Sequence, residues 1–172
     1  YVAILKQWEN DPASFTRNEE LTRRISMAFL DVIQAMIRNE IKVAPVYITN
    51  DVLVPNQTNG YLTQWIPQTY QLVPEGLVFN LATDQNFHEP PESHLQMRGL
   101  ADGTVRFEKD DVINTKILTA YSRMLTNRGR YLALFNQHER AIVAFKEALA
   151  LAPNLAEARK GLAESEAKFR SP

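Results

Sequence analysis

The sequence predicts an α/β (α+β) fold: a small mixed sheet with a covering helix, followed by a C-terminal helical hairpin and a capping helix. Three observations carry that expectation. Leu21, Ile25, Ala28, Phe29, Val32 and Met36 recur at spacings of three and four, the period of an amphipathic helix. The runs at 41–52 and 69–81 are rich in strand formers and bounded by turn residues. Ala141, Ile142, Phe145, Ala148 and Leu149 form a second helical stripe, which Pro153 ends because it cannot continue a helix.

Taken in order, ENDPASFTRNEE at 9–20 reads as a loop leading into a helix over 17–40. Thr16-Arg17-Asn18-Glu19 fits a capping box, in which threonine and glutamate satisfy orphan backbone donors. Ile33 and Ile37 widen the apolar stripe, so the helix is expected to bury a deep face. Its polar side carries Arg23, Arg24, Gln34 and Arg38, read as a solvated face in preference to a partner or acidic lipid surface. In IKVAPVYITNDV the β-formers Val43, Val46, Tyr47 and Ile48 predict a strand, with Pro45 near its start and Asn50-Asp51 closing it.

A short helix or irregular connector is expected around Trp65. TYQLVPEGLVFNL reads as a β-hairpin with its reversal at Pro74-Glu75-Gly76, Tyr70 and Leu72 alternating on one arm and Leu77, Phe79 and Leu81 on the other. The polar, proline-containing residues 82–103 read as a long exposed loop, and TVRF at 104–107 as a brief strand. From Asp111, Val112, Ile113, Ile117, Leu118, Tyr121 and Leu125 begin a helix ending near 134. The expected domains are 1–110, a small α/β domain, and 111–172, the helices.

HERAIVAFKEALALAPNLAEA at 138–158 resembles the second helix of a tetratricopeptide repeat and the turn after it. Ala141, Phe145, Ala148 and Pro153 hold the repeat's small, aromatic, small and proline positions, and Gly129 holds the small position of the first helix, between Leu125 and Leu132. Residues 122–155 span about one 34-residue period. The pattern continues through Ala156, Ala158, Leu162 and Ala163, then departs at Arg159 and Glu166, whose charges make the last helix a solvating cap. With about one and a half repeats, fewer than a solenoid core needs, this is a C-terminal element and not the whole protein.

The bulk composition narrows function. The 172 residues carry 45% apolar content, enough for a sizeable core, and a net charge of −1 from 19 basic and 20 acidic residues. Without a basic face, nucleic acid is not an expected partner. The absence of cysteine excludes disulfides and thiolate chemistry. No signal peptide or transmembrane run is present, and the opening YVAILKQW, without methionine, suggests a portion of a longer chain. Neither a phosphate-cradling glycine loop nor a nucleophile elbow occurs, so no catalytic residues and no cofactor are assigned. His88, Glu89, Glu92 and His94 are zinc-compatible types, but the two intervening prolines preclude paired ligands on a helix, and a solvated loop is preferred to a metal site. Glu75 and Asp84 are weighed as an acid/base pair, with solvated turn carboxylates preferred. Asn56-Gln57-Thr58 is a glycosylation sequon that also arises by chance, and His138 is expected to pack.

Two groups of residues are the binding candidates. Tyr47, Trp65 and Tyr70, with Phe79, either line a groove for sugar or peptide or fill the core, the latter being preferred. Arg123, Asn127 and Arg130, on one face of the 112–134 helix, are placed to grip an extended acidic peptide.

Asn39, Pro45-Val46-Tyr47-Ile48, Tyr70 and Glu75-Gly76-Leu77-Val78-Phe79-Asn80-Leu81, followed by the repeat helices, resemble the soluble C-terminal region of large multi-pass bacterial membrane proteins. That family is related to protein O-mannosyltransferase-type glycosyltransferases. The resemblance covers residues 25–155, with departures at Ala44 and Asn80, where arginine is usual or frequent. It implies a non-catalytic accessory domain at the extracytoplasmic (periplasmic) face of a bacterial membrane, partnered by the rest of its membrane-embedded parent chain. The residues linked to sugar transfer would lie elsewhere in that parent. Without the resemblance, the expectation is a cytoplasmic adaptor that binds a protein or peptide. The alternative is a small-ligand-binding or hydrolytic domain with a pocket near residues 74–94.

Overall fold

A computed structural model describes residues 2–53, 60–92, 99, 104, 111–112 and 116–170. It is a mixed α+β structure with a small three-stranded antiparallel sheet and a helical C-terminal part. The chain divides into two compact units, residues 1–72 with 80–84, and residues 73–79 with 85–172. The second unit thus takes in residues 85–92, which by composition belong to the polar loop before the helices.

The first unit opens with three helices, α1 (Val2–Asn10), α2 (Pro12–Thr16) and α3 (Glu19–Glu40), so residues 9–16 are largely helical where a loop is expected. Local chemistry accounts for the breaks. Asp11 caps α2 by accepting from the Ser14 amide at 3.3 Å, with Pro12 at the first helical position, where its missing N–H costs nothing. The cap of α3 is Asn18, whose Oδ1 accepts from the Leu21 amide at 3.1 Å. The expected capping box does not form because the Thr16 hydroxyl donates to Ala13 O at 3.0 Å, closing α2 instead. Ile4, Phe15, Ile25 and Ala28 form the core shared by these helices.

The deep buried face expected of α3 is only partly realised. Ile25, Ala28, Leu30 and Ile37 are buried, whereas Phe29, Ile33 and Met36 are 42%, 37% and 60% exposed. The following strand, β1 (Tyr47–Thr49), is shorter than the run that predicts it, and Asn50–Leu53 turn into a 3-10 helix. Helix α4 (Gly60–Thr69) surrounds Trp65, the helical one of the two expected alternatives.

Strands β2 (Gln71–Glu75) and β3 (Val78–Ala82) form the hairpin, and the sheet order is β1-β3-β2. The helix-then-strand order of the sequence suggests mixed pairing, but a hairpin and one short neighbour give an antiparallel sheet. β3 is central, and the Leu81 amide donates to Val46 O at 2.9 Å. The reversal is at Gly76-Leu77, one step later than expected, with Gly76 at φ +58°, an angle glycine adopts without strain. Pro74 lies inside β2, an edge strand that tolerates a missing ladder donor. The TVRF segment falls outside the described residues beyond Thr104.

The second unit is dominated by α5 (Leu118–Leu134), α6 (His138–Leu151) and α7 (Ala156–Arg170). The turn after α5 places Asn136 at φ +60°. Its amide donates to Ala133 O at 3.1 Å while Gln137 N–H reaches Leu132 O at 2.9 Å, the paired bonds of a Schellman cap. After α6, Arg159 secures the Pro153-Asn154 turn, donating to Pro153 O at 2.9 Å and Asn154 Oδ1 at 3.0 Å. The charge at Arg159 therefore holds the turn in place of an apolar contact. Phe145, 1% exposed, is the centre of the core formed with Leu125, Leu132, Ala141, Ala148 and Ala158. Its ring lies against two glycines: a Cβ on Gly129 would sit 2.7 Å from Phe145 Cε1, and one on Gly161 would press on the same ring.

Candidate peptide-docking site

Within the second unit, residues 85–92 cross α5 and α6 as a strap with no helix or strand of its own. Glu89 and Pro90 each precede a proline, which biases both toward extended angles. Phe87 begins the docking: its ring stacks on Tyr131 with centroids 5.9 Å apart and planes at 25°, and lies 5.4 Å from Phe135. Tyr131 and Phe135 are 5.0 Å apart, so the three rings form one cluster.

Hydrogen bonds fix the register. The Tyr131 hydroxyl accepts from His88 N–H at 2.8 Å and donates to His88 O at 2.9 Å, satisfying both main-chain groups of one residue. The Arg128 guanidinium donates to Pro90 O at 3.4 Å and also to Pro91 O. A Pro-Pro pair has only acceptors on its main chain, which suits an arginine fork. Pro90 itself is fully buried. Arg140 holds Glu89 with two bonds, Nη1 to Oε2 at 3.0 Å and Nη2 to Oε1.

The electrostatics follow from this arrangement. The hydrogen bond from Arg140 holds the Glu89 carboxyl below the usual glutamate range, and the same bond raises the Arg140 guanidinium. Burial lowers Arg128, and neighbouring Arg140 lowers it further. Burial raises Glu147, opposed by Arg128. Beside the strap, a cleft of about 250 Å³ remains open, lined by Arg128, Leu132, Arg140, Val143, Ala144 and Glu147 on the helices and by Glu92 of the strap.

The expected grip of Arg123, Asn127 and Arg130 lies on a different face of α5. These three share one side of the helix, whereas Arg128, Tyr131 and Phe135 lie roughly 100° around it at 3.6 residues per turn. Arg123 is exposed, Asn127 half-buried, and Arg130 pairs with Glu157 of α7 at 3.3 Å. Arg130 and Glu157 line a second cleft of about 230 Å³ with His138 and Phe145. His138 is half-buried, and its buried Nδ1 has no hydrogen-bond partner among the described residues.

The aromatic candidates of the first unit are partly gathered. Trp65 and Tyr70 meet edge to face at 5.5 Å, with the Arg38 guanidinium 5.4 Å from the Trp65 ring centroid. Tyr70 is buried and Tyr47 exposed, which makes Trp65–Tyr70 a packing pair. On the polar side of α3, Arg23 is bonded to Glu20 and Arg38 also donates to Gln34 at 3.2 Å. Of the proposed chemical residues, Glu75 is half-buried at the end of β2 and Asp84 exposed past β3. In HEPPESH, Glu89 is committed to Arg140 and the His88 main chain to Tyr131, while His94 lies outside the described residues. Among the described residues no three potential metal ligands gather. The sequon at 56–58 also lies outside them.

Arg128, Tyr131, Phe135, Arg140 and Phe87 escape a reading by periodicity. Their available signals were the i, i+3, i+7 spacing of 128, 131 and 135, and a lone aromatic just before a Pro-Pro pair. Among the described residues, no helix is long and apolar enough to cross a membrane. The chain matches no family model, no curated protein and no solved structure.

Proposed function

We propose that this chain is a non-catalytic interaction domain whose C-terminal helices bind an extended, acidic, proline-containing peptide. We further propose that it serves as the soluble extracytoplasmic tail of a membrane protein of the glycosyltransferase-like type. The observation that carries the first proposal is the docked strap. Ring stacking, main-chain hydrogen bonds and a carboxylate–arginine pair together seat residues 87–91 on α5 and α6. These are the devices by which helical surfaces recognise extended peptides: main-chain bonds supply affinity, and placed side chains supply specificity. The tetratricopeptide-like pattern at 122–155 supports the same reading, since a helical hairpin of that kind is a binding or packing element.

The test is a panel of labelled octapeptides on the full chain, read by fluorescence anisotropy. Acidic proline-containing peptides should bind in preference to scrambled and basic ones of equal length, with modest affinity because the contact surface is small. Indifference to peptide charge and sequence would refute the reading. The membrane-tail proposal rests on the motifs at 39, 45–48, 70 and 75–81. The complete open reading frame tests it: a block of hydrophobic spans upstream supports the tail, and a frame without one removes it.

A further inference from the structure

We infer that residues 87–92 are a displaceable, built-in occupant of the docking site, and that the segment displacing them belongs to another polypeptide. That segment would carry an aromatic residue, a carboxylate two positions later and then Pro-Pro. The inference rests on the interaction-domain reading and adds to it the partner's chemistry and the means of control.

Three features of the site support displacement. First, the contacts do not depend on covalent connection. Tyr131 reads the N–H and C=O of one residue, and Arg128 reads two successive carbonyls, groups that any extended peptide presents. The side-chain requirements reduce to a ring, a carboxylate and a proline, met in cis by Phe87, Glu89 and Pro90.

Second, the hold is shallow. Phe87 is 37% exposed, and the Glu89 and Arg140 side chains are 59% and 38% exposed. Exposed ion pairs contribute about 0–1 kcal/mol. Pro90 is the strap's one fully buried side chain among the described residues. Such a segment opens far more readily than a core element.

Third, among the described residues, part of the site beside the strap is unused. The cleft of about 250 Å³ beside it is lined by the exposed Val143, the buried Leu132 and Ala144 beneath it, and Arg128, Arg140 and Glu147. A longer or bulkier peptide reaches contacts that the cis segment does not make. Glu92 leaves with the strap, so Arg128 and Arg140 then face Glu147 alone, and the net positive rim favours an acidic ligand over a basic one. Covalent attachment gives the strap a high effective concentration, so it suppresses weak ligands and yields to one that also fills the cleft.

The experiment uses acetyl-QNFHEPPE-amide, the sequence of residues 85–92, labelled for anisotropy and titrated with the full chain. Three proteins are compared: wild type, the strap-weakened Phe87→Ala/Glu89→Ala chain, and that chain with Arg140→Ala added. Melting curves establish that each is folded, and Arg140→Lys in place of Arg140→Ala supplies a milder variant. The strap-weakened chain should bind the peptide about tenfold more tightly than wild type, because the competitor is removed. Arg140→Ala should abolish the gain.

A folded strap-weakened chain that binds no more tightly than wild type overturns the inference. If acidic peptides of the panel bind, yet neither strap nor Arg140 changes matter, displacement is refuted and the interaction-domain reading stands with its site elsewhere. Failure of every peptide on every variant refutes both. Light scattering on wild type separates the remaining source: a concentration-dependent dimer lost in the Phe87→Ala/Glu89→Ala chain identifies a second copy's strap as the occupant and overturns the assignment to another polypeptide.

Discussion

Helices α3 and α6 look alike in sequence and end up in different environments. Both carry apolar residues at spacings of three and four. On α6 the centre of the stripe is enclosed, with Ala141 and Ala148 at 0% exposure and Phe145 at 1%, and Ile142 and Leu149 are half-buried at its margins. On α3, Phe29, Ile33 and Met36 stay 37% to 60% exposed, and the Phe29 ring is met edge-on by Trp8 at 5.6 Å. The difference lies in the neighbours. Phe145 is flanked by alanines on its own helix and faces Gly129 and Gly161, so three helices close around one ring. The α3 stripe is built of large residues apart from Ala28, and the helices packed beside it, α1 and α2, are short. Hydrophobic period therefore specifies a helix, whereas small residues opposite a large one specify what closes over it.

The largest effect is expected at the centre of the α6 core. Phe145→Ala should destabilise the second unit by about 3–5 kcal/mol. Phe29→Ala should cost about 1 kcal/mol, the scale of one aromatic pair. Urea denaturation of the two variants checks this, and equal losses would erase the distinction between the helices. Gly129→Ala comes next: its Cβ would lie 2.7 Å from the Phe145 ring, and overpacking of that kind costs about 1–3 kcal/mol. Calorimetry should show a lowered Tm. A neutral result would mean that the ring has room to retreat.

Smaller effects sharpen the contrast between core and strap. Tyr131→Phe leaves the rings stacked but removes both bonds to His88, which should cost about 1–2 kcal/mol. Glu89→Gln should cost less than about 1 kcal/mol of docking, and the cost should shrink as salt is raised.

Protonation extends that last expectation. The pKa of Glu89 is depressed by its bond to Arg140, so its contribution is present above the ordinary glutamate range of about 4.3 and is lost as pH falls through the lowered value. Glu147 is raised by burial, so its own contribution is present below the ordinary range and lost as pH rises through the raised value. Acidification should therefore weaken the Glu89 contact, read as movement of the Phe87 ring resonances toward free-peptide positions. Unchanged resonances through that window would show that the pair contributes nothing to docking.

What was legible in the sequence divides along the same line. The α6 stripe, its end at Pro153 and the charged α7 could be read locally, because each lies within about a turn of its pattern. The helix at α4 and the hairpin were also recoverable, although Pro74 drew the expected reversal one step too early. Gly161 carried no signal, because the repeat register directs attention to Leu162 and Ala163 beside it. The strap was illegible for a stronger reason. His88 and Tyr131 are 43 positions apart, and no periodicity connects them. Composition marks NFHEPPE as loop, and a segment rich in polar residues and prolines reads the same whether it is solvated or docked. Likewise Arg123, Asn127 and Arg130 share one face of α5, and nothing local in the sequence shows that the strap lies on another.

The most direct test of the docked strap is hydrogen exchange at the His88 amide in wild type and in Tyr131→Phe. The amide donates to the Tyr131 hydroxyl at 2.8 Å, so exchange in wild type should be slower than in the isolated 85–92 peptide, though faster than at core amides, and should speed up by about tenfold in the variant. Exchange in wild type as fast as in the isolated peptide, or equal rates in the two proteins, would contradict the claim that the C-terminal helices hold an extended peptide.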